Sequence, residues 1–266
     1  IIIQQNKLTN PNAKFLLRIE DTDKLRSKDE YKNSIIQGLK WLGINWDDNE
    51  YLQSKRIKRH IEVAEILLKK KYAFKCICTA EELEKKRFEY KKNKLNIKRL
   101  CTKCEQDDYI QNIKNDYCVR IKIPNSGKEL INDKIQGKIQ IDNKEIDNFI
   151  LLRKDRTPTY MLSVVVDDYD MNVNYIIRGD DHLNNTFRQL HIYKNLNWEI
   201  PQYAHLPLIH GMDGAKLSKR HGAVDINELK KIGYLPKSII NNLILLGWSP
   251  KKDNEFNEIK EIINNF

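Results

Sequence analysis

Short apolar runs alternate with segments of helical periodicity along the chain, and this alternation constrains the fold more than any other feature. The apolar runs predict strands at Phe15–Ile19, Tyr160–Val166, Tyr175–Ile177 and Leu206–Ile209, and we expect the second and third of these to be buried. Residues 28–42 have the apolar spacing of an amphipathic helix, and a further helix is predicted at 183–195. Strands that alternate with helices favour a parallel α/β sheet, whose ligands bind beyond the carboxyl ends of the strands. Functional residues are therefore expected where these strands end.

Capping residues predict where two further helices begin. Ser54 is expected to cap a helix over residues 55–71. Thr79 and Glu82 form the T-x-x-E pattern of a capping box, which predicts a very polar helix through about residue 92.

The middle of the chain departs from the alternation of strands and helices. Residues 91–117 are rich in lysine, asparagine and cysteine, whereas residues 118–153 contain the strand-like runs CVRIKI, KIQI and NFILL. We expect a small α+β insertion here. The predicted domains are a split core at 1–74 and 156–225, an insertion at 75–155 and the start of a helical segment at 226–266.

The charge balance favours a polyanionic partner. The chain has 47 Lys and Arg against 37 Asp and Glu, a net charge of +10, for which RNA or DNA is the first candidate. The alternative is a codon bias that enriches Lys, Asn and Ile. No stretch approaches the roughly 18 apolar residues of a membrane span, so we expect no membrane partner. Without a recognisable secretory signal, we expect a cytoplasmic protein, with an organelle matrix as the alternative.

The cysteines predict a metal site. Cys76-x-Cys78 and Cys101-x-x-Cys104 have the grouping of a tetrahedral four-thiolate zinc site, which would order the polar segment between them. The alternative is a loose group of free thiols. Cys118 lies on a strand-like run and is expected to be buried.

A basic loop near residue 216 favours polyphosphate binding. Lys216–Arg220 (KLSKR) places three cations in five residues, after a loop that contains Gly211 and Gly214. Their charge would stabilise negative charge developing on phosphate oxygens. The alternative is a solvated basic loop without a ligand.

An acidic cluster follows the first predicted strand. Arg18–Asp23 (RIEDTD), with Arg26 three residues on, can accept an ammonium group or a ribose hydroxyl. The alternative is a set of acids that stabilises a helix N-terminus through the helix dipole.

A second charged cluster, RGDDHL, follows the strand predicted at Tyr175–Ile177. Arg178 could hold a carboxylate in a bidentate fork, Gly179 permits a sharp turn, and His182 could stack or hydrogen-bond. The alternative is a structural ion pair of Arg178 with Asp180 or Asp167.

Four motifs in this order resemble one family. RIEDTD, TYMLSVVVDDYDM, IIRGDDHL and KLSKRHGA resemble class I aminoacyl-tRNA synthetases of the glutamate type, over nearly the whole chain from Phe15. RIEDTDK resembles the bacterial and organellar glutamyl pattern. Glutaminyl enzymes usually carry R-F-D-D-T-N there, and the paralogues that glutamylate a tRNA base carry D-L-D-P after R-I-E. The resemblance implies a Rossmann-like parallel-sheet core with an α+β insertion and a C-terminal helical segment.

The resemblance also implies a reaction and a set of residues. The reaction uses ATP with Mg²⁺, L-glutamate and tRNA(Glu), passes through glutamyl-adenylate, and is carried out by a monomer. Catalytic roles fall on Lys216, Ser218, Lys219 and Arg220; glutamate binding on Glu20, Tyr160 and Arg178; ATP binding on Lys219, Ile209 and His182; and the tRNA acceptor end on Asp23 and Arg26. Some members carry a structural zinc in the insertion, which here implies Cys76, Cys78, Cys101 and Cys104 as ligands.

Two departures from the family pattern leave alternatives open. No H-I-G-H-like motif precedes Phe15, so we expect the first strand and turn of the core to be absent from this sequence, which also ends early in the helical region. Val164 stands where many relatives carry a polar residue. The alternative functions are a tRNA-base glutamylating paralogue, a glutaminyl-tRNA synthetase and a non-catalytic RNA-binding remnant.

Overall fold

A computed structural model describes residues 10, 12–22, 27–93, 98, 101–211, 213–217, 225–249 and 259–265. The chain forms two compact units, which we call the terminal unit (residues 1–52 and 210–266) and the central unit (residues 53–209). The domain bounds predicted from the sequence stay a prediction.

The strands and helices follow one another as an α/β chain with an antiparallel middle part. The strands are β1 (Arg18–Ile19), β2 (Tyr51–Leu52), β3 (Ala73–Cys76), β4 (Cys118–Ile121), β5 (Lys128–Asp133), β6 (Gly137–Asp142), β7 (Ile150–Leu152), β8 (Tyr175–Gly179) and β9 (Gln202–Leu206). The helices are α1 (Asp29–Trp41), α2 (Ile57–Lys69), α3 (Ala80–Lys92), α4 (Thr102–Gln106), α5 (Asp108–Asn112), α6 (Tyr160–Asp170), α7 (Leu183–Leu196), α8 (Ile226–Ile232), α9 (Pro236–Leu245) and α10 (Ile259–Asn265).

In the terminal unit, β1 and β2 pair in parallel, with Arg18 opposite Tyr51. The strand predicted at Phe15–Ile19 is regular only at its last two residues. Its first part makes hydrogen bonds outside the strand pairing; for example, the Phe15 amide donates to Asp47 Oδ2 at 2.7 Å. The predicted helix at 28–42 and the helical segment from residue 226 are confirmed.

In the central unit, β8 and β9 form the parallel pair, and α6 packs against α2 and α7. The helix predicted at 183–195 is confirmed as α7, and the strand predicted at Tyr175–Ile177 is confirmed as β8. Its predicted burial is wrong, since Tyr175 and Ile177 are about two-fifths exposed (40% and 43%). The strand predicted at Leu206–Ile209 is displaced, because β9 already ends at Leu206.

The strand predicted at Tyr160–Val166 is wrong, because these residues begin helix α6. Every residue from Leu162 to Asp168 is buried, so this part of the helix is buried on all sides and its apolar residues show no amphipathic spacing. An apolar run of this length cannot distinguish a buried strand from a buried helix. Packing on both faces outweighs the strand preference of Val164–Val166.

Helix beginnings were predicted correctly in one place and wrongly in another. Ser54 lies within a 3₁₀ turn (Gln53–Arg56), and α2 begins at Ile57 without a side-chain cap. At α3 the capping box is confirmed: the Glu82 amide donates to Thr79 Oγ1 at 3.2 Å, and the Thr79 amide donates to Glu82 Oε2 at 2.8 Å.

The middle of the chain has the mixed character predicted for it. β3, β4 and β7 form an antiparallel sheet, and β5 and β6 form a hairpin. The apolar sides of β4, β5 and β7 join α2, α6 and α7 in one core, to which Val119, Ile131, Leu151 and Leu162 belong. Among the described residues, no helix has the length and apolar character needed to cross a membrane.

Candidate functional site

Arg178 lies near the carboxyl end of β8, within a shell of hydrogen-bond acceptors. Its Nε donates to His205 Nε2 at 3.2 Å, and its Nη1 donates to the Tyr160 hydroxyl at 3.3 Å. Its Nη2 donates to Thr186 Oγ1 at 2.5 Å and to Gln189 Oε1 at 3.0 Å. These contacts fix the plane of the guanidinium and leave it half-buried.

This shell supplies no counter-ion. Among the described residues, no carboxylate lies within ion-pair distance of Arg178, so the structural ion pair with Asp180 or Asp167 considered above is wrong. Asp167 is instead taken by Arg56 and His60. A half-buried guanidinium among neutral acceptors is an anion site with a fixed geometry.

Two further predicted residues lie beside Arg178. The Tyr160 hydroxyl is 3.4 Å from His182 Nδ1, and the two rings meet edge to face with centroids 5.7 Å apart. Gly179 lies between Arg178 and His182 in the sequence. A Cβ on Gly179 would stand 2.7 Å from Asp181 Oδ1 and 3.0 Å from Leu208 Cδ2. A larger residue here would displace the ends of these two side chains, while the dihedral angles of Gly179 are ordinary.

The cysteines form a second cluster in the central unit. The Sγ atoms of Cys76, Cys78 and Cys101 lie within 4.8 Å of one another. Cys76 Sγ is 3.5 Å from Cys101 Sγ, and Cys78 Sγ is 3.4 Å from Cys104 Sγ. These separations exceed a disulfide bond and match the roughly 3.8 Å between thiolates on a tetrahedral zinc. All five cysteines carry free thiols, and Cys118 is buried as predicted.

Hydrogen bonds between the thiols and burial both shift the pKa values of this cluster. The hydrogen bond between Cys76 and Cys101 lowers the pKa of Cys76 and raises the pKa of Cys101. Burial raises the pKa of Cys104 to about 12. Cys101 and Cys104 are therefore neutral thiols without a metal, and four thiolates so close together would need a compensating cation such as a metal ion.

A basic cavity of about 200 Å³ lies next to the cysteine cluster. Its walls carry the cations Arg87, Lys98, Arg120 and Arg188 and the single carboxylate of Asp147. That carboxylate is engaged by Arg188 Nε at 2.7 Å. The cavity therefore favours an anionic ligand.

Comparison with known proteins decides the family. The family model for the catalytic domain of class I tRNA synthetases (E and Q) matches residues 2–266. The chain belongs to this family. The predicted family and the Rossmann-like α/β fold class are thereby confirmed.

Relatives and solved structures agree with this assignment. The chain is 51% identical over 242 residues to glutamate–tRNA ligase 2 of Zymomonas mobilis, covering 91% of this chain and 50% of the relative. It is 46% identical over 259 residues to glutamate–tRNA ligase of Pelagibacter ubique, covering 97% and 55%. The crystal structure of a glutamate tRNA ligase from Elizabethkingia meningosepticum in complex with its amino acid superimposes with a TM-score of 0.81 at 27% identity, covering 99% of this chain and 60% of that chain. The chain spans about half the length of the curated relatives it matches.

The synthetase residues predicted in the terminal unit are only partly described. Glu20 is exposed and accepts a hydrogen bond from Arg18 Nη2 at 3.1 Å. Lys216 forms an isolated bridge with His210 across a turn, in which Gly214 has a φ of +73°. Ser218, Lys219, Arg220, Asp23 and Arg26 lie outside the described residues.

The remaining predicted positions lie in the central unit. Ile209 is about half exposed (52%), three residues beyond the end of β9. Val164 is buried in α6 and belongs to the core.

Sequence reasoning missed the residues that hold Arg178. Thr186, Gln189 and His205 are almost wholly buried polar residues, and two of them lie on α7 at helical spacing. A sequence signal existed, because T-x-x-Q on a helix that follows a strand-end arginine places two polar groups on one face. His205 stands in an apolar strand and had no comparable signal.

Proposed function

We propose that this chain carries the activity that joins glutamate to tRNA(Glu) in two steps. Glutamate attacks the α-phosphate of ATP to give glutamyl-adenylate and pyrophosphate, and the terminal ribose of the tRNA then takes the glutamyl group. The observation that carries the proposal is Arg178, a cation fixed by neutral groups and without a carboxylate partner among the described residues.

Arg178 suits the side-chain carboxylate of glutamate. With Nε and Nη2 already engaged by the shell, Nη1 retains one hydrogen for a carboxylate, and the charge makes that hydrogen bond about twice as strong as a neutral one. The amide of glutamine would offer one acceptor and turn a donor toward the guanidinium, so the site favours glutamate over glutamine. This preference for glutamate distinguishes the proposed enzyme from a glutaminyl enzyme. Tyr160 lies beside Arg178 and is assigned to the same ligand, while Glu20 is assigned to the α-amino group.

The basic loop is assigned to ATP. Lys219, with Lys216, Ser218 and Arg220, would stabilise the charge that develops on the phosphates, and Mg²⁺ would accompany the nucleotide as its counter-ion. Ile209, about half exposed (52%), is assigned to the adenine through its backbone, and His182 is half-buried beside Tyr160. Catalysis of this kind depends on positioning and electrostatics rather than on a covalent enzyme intermediate.

A structural zinc is the second part of the proposal. Cys76, Cys78, Cys101 and Cys104 supply four thiols at separations that suit one tetrahedral ion. The segment between them has few apolar residues, so a metal would contribute folding energy there. Metal analysis by mass spectrometry should find about one zinc per chain, which Cys104→Ser removes and Cys118→Ser retains. Equal zinc content in both variants would contradict the assignment.

The tRNA is assigned to the basic surface of the central unit. The cavity lined by Arg87, Lys98, Arg120 and Arg188 can receive backbone phosphates, and Asp23 and Arg26 are assigned to the acceptor end by resemblance. Such binding weakens as salt rises, because bound counter-ions are released. Arg87→Glu should reduce tRNA affinity and the steepness of its salt dependence. A monomer in the cytoplasm completes the proposal, since free thiols suit a reducing compartment.

The deciding experiment is ATP-dependent transfer of labelled glutamate to unfractionated tRNA. Arg178→Gln should abolish glutamate transfer, Lys219→Ala should lose ATP-dependent adenylate formation, and labelled glutamine should not be transferred. Transfer to a nucleoside base, recovered after alkaline removal of ribose esters, would instead favour the base-glutamylating paralogue. Salt-sensitive tRNA binding without any transfer would favour a non-catalytic RNA-binding protein.

A further inference from the structure

A buried histidine and a buried aspartate stand behind Arg178 and have no role in the function proposed above. His205 lies on β9 opposite Arg178 in the parallel pair, and Asp133 is the last residue of β5. Both side chains are fully inaccessible to solvent (0%). His205 Nδ1 lies 2.6 Å from Asp133 Oδ2, and His205 Nε2 lies 3.2 Å from Arg178 Nε. The three side chains therefore form one continuous hydrogen-bonded chain.

The contact with Arg178 fixes the tautomer of His205. Because the Nε–H of Arg178 can only donate, His205 Nε2 must be the acceptor. The Thr186 hydroxyl, 3.0 Å away, can donate to the same nitrogen. An imidazole that accepts at Nε2 is neutral and carries its proton on Nδ1. The Nδ1–H of His205 then donates to Asp133 Oδ2.

Asp133 is itself locked in one orientation. Its Oδ1 accepts the backbone amides of Ile135 at 3.0 Å, Gln136 at 2.9 Å and His205 at 3.1 Å. Burial acts to raise the pKa of Asp133, but these bonds and the one from His205 outweigh it and lower the pKa to about 2. The carboxylate thus stays charged, with Oδ2 directed at the imidazole.

We propose that Asp133 and His205 are positioning residues for carboxylate recognition. Asp133 holds His205 in the Nδ1–H tautomer, and Nε2 of His205 then holds the guanidinium of Arg178 in its binding orientation. The assignment rests on the proposed function, since the ligand is the side-chain carboxylate of glutamate. It makes glutamate affinity depend on a residue on β5 that reaches Arg178 only through His205.

Asp133→Asn tests the tautomer directly. The three backbone amides that face Oδ1 select the amide oxygen of the new side chain, so its NH₂ group takes the place of Oδ2. This NH₂ donates to Nδ1 of His205, whose proton must then move to Nε2. Nε2–H and the Nε–H of Arg178 are two donors facing each other, which should displace the guanidinium.

Two substitutions of His205 distinguish the loss of the acceptor at Nε2 from a general loss of folding. In His205→Gln the amide oxygen can reach the position of Nε2 and accept from Arg178, whereas in His205→Asn the shorter amide reaches only the position of Nδ1. His191→Asn is the matched control, because His191 is also buried in the central unit but contacts Glu129 rather than Arg178.

The measurement is calorimetric titration of the 266-residue chain with L-glutamate and, separately, with ATP. We expect Asp133→Asn and His205→Asn to weaken glutamate binding about tenfold, the size of one lost charge-assisted bond. His205→Gln should lose less, and ATP affinity and the control should be unchanged. Nitrogen-15 NMR of His205 should show Nδ1 protonated in the wild type and Nε2 protonated in Asp133→Asn.

The outcomes separate this assignment from the proposed function. If the wild type binds glutamate and Asp133→Asn binds it equally well with the tautomer reversed, the positioning role is refuted and the proposed function stands. If His205→Asn and His205→Gln lose affinity equally, the acceptor at Nε2 is not what matters, and the role is again refuted. If the wild type binds no glutamate, the proposed function fails and the assignment fails with it.

Discussion

Asp167 should be among the most sensitive positions of the central unit. It lies on α6 with a fully inaccessible side chain (0%) and accepts three hydrogen bonds. The donors are Arg56 Nε at 2.7 Å, Gln53 Nε2 at 2.8 Å and His60 Nε2 at 2.9 Å. All three lie in or before α2, so one carboxylate joins two helices that are more than 90 residues apart in sequence. We predict that Asp167→Ala strongly destabilises this unit.

The magnitude follows from what the substitution leaves behind. Burial alone would raise the pKa of Asp167, but the hydrogen bonds from His60, Arg56 and Gln53 lower it, so the native carboxylate is charged. Without it, Gln53 Nε2 and His60 Nε2 lose their acceptor, while Arg56 keeps Asp170. Removing one partner of a buried ion pair costs about 3–5 kcal/mol. We expect a loss of about 4 kcal/mol in the free energy of unfolding of the central unit.

Asp170→Ala is the matched control. Asp170 lies on the same helix and contacts Arg56 and Arg59, but its side chain is 20% exposed and each arginine has a second carboxylate partner. We expect a cost of about 1 kcal/mol there. Guanidinium unfolding followed by circular dichroism gives both values, and amide hydrogen exchange over residues 57–69 and 160–170 locates the loss. Equal values for the two variants would refute the argument that burial sets the difference.

Four further outcomes follow from local contacts. Thr79→Ala should cost about 1 kcal/mol of unfolding free energy, because α3 loses its capping box; Thr79→Ser should restore most of it in the same denaturant titration. Cys104→Ser, or a zinc chelator, should lower the thermal midpoint of the protein, and a chelator with no effect on the midpoint would count against a structural metal. The folded pKa of Asp133 is about 2, below its ordinary value of 3.8, so Asp133 contributes about 2 kcal/mol to the free energy of unfolding. This contribution is complete above about pH 4 and is lost as the pH falls toward 2. Acid titration of Asp133→Asn should show a smaller loss of stability over this pH range. Gly179→Ala should cost up to about 1 kcal/mol of unfolding free energy and weaken glutamate binding, because a Cβ there displaces the side-chain ends of Asp181 and Leu208; unchanged affinity would show that these side chains move without affecting Arg178.

The candidate-site residues whose placement the sequence made predictable are those carried by contiguous motifs. RGDDHL placed Arg178 and His182 after a strand, and the structure brings both beside Tyr160. The capping box at Thr79 was equally local, since its two hydrogen bonds connect residues three apart. Such features depend on neighbours in the sequence, so a motif contains most of the information that defines them.

The fold prediction failed where burial removed the periodic signal. Residues 160–166 were predicted as a strand because they are continuously apolar, and they form a helix because α2 and α7 cover it on two sides. Ser54 was predicted as a cap from its residue type alone, although the chain enters α2 through a 3₁₀ turn. In both cases the deciding partners lie elsewhere in the chain, where local periodicity carries no information about them.

The absence of a carboxylate partner for Arg178 among the described residues also depends on residues that are distant in the sequence. The sequence offered Asp167 as a partner for Arg178, and nothing local excluded that pairing. In the structure Arg56, 111 residues away, and His60, 107 residues away, engage Asp167. Asp133, 72 residues from His205, contacts Nδ1 of the His205 imidazole, whose Nε2 accepts from Arg178. These two internal carboxylates are held by other groups, which leaves Arg178 without an internal carboxylate partner among the described residues and suits the carboxylate ligand proposed for it. Substitution of Asp167 should therefore lower stability alone, whereas substitution of Asp133 should also lower glutamate affinity, although both are buried aspartates of the same unit.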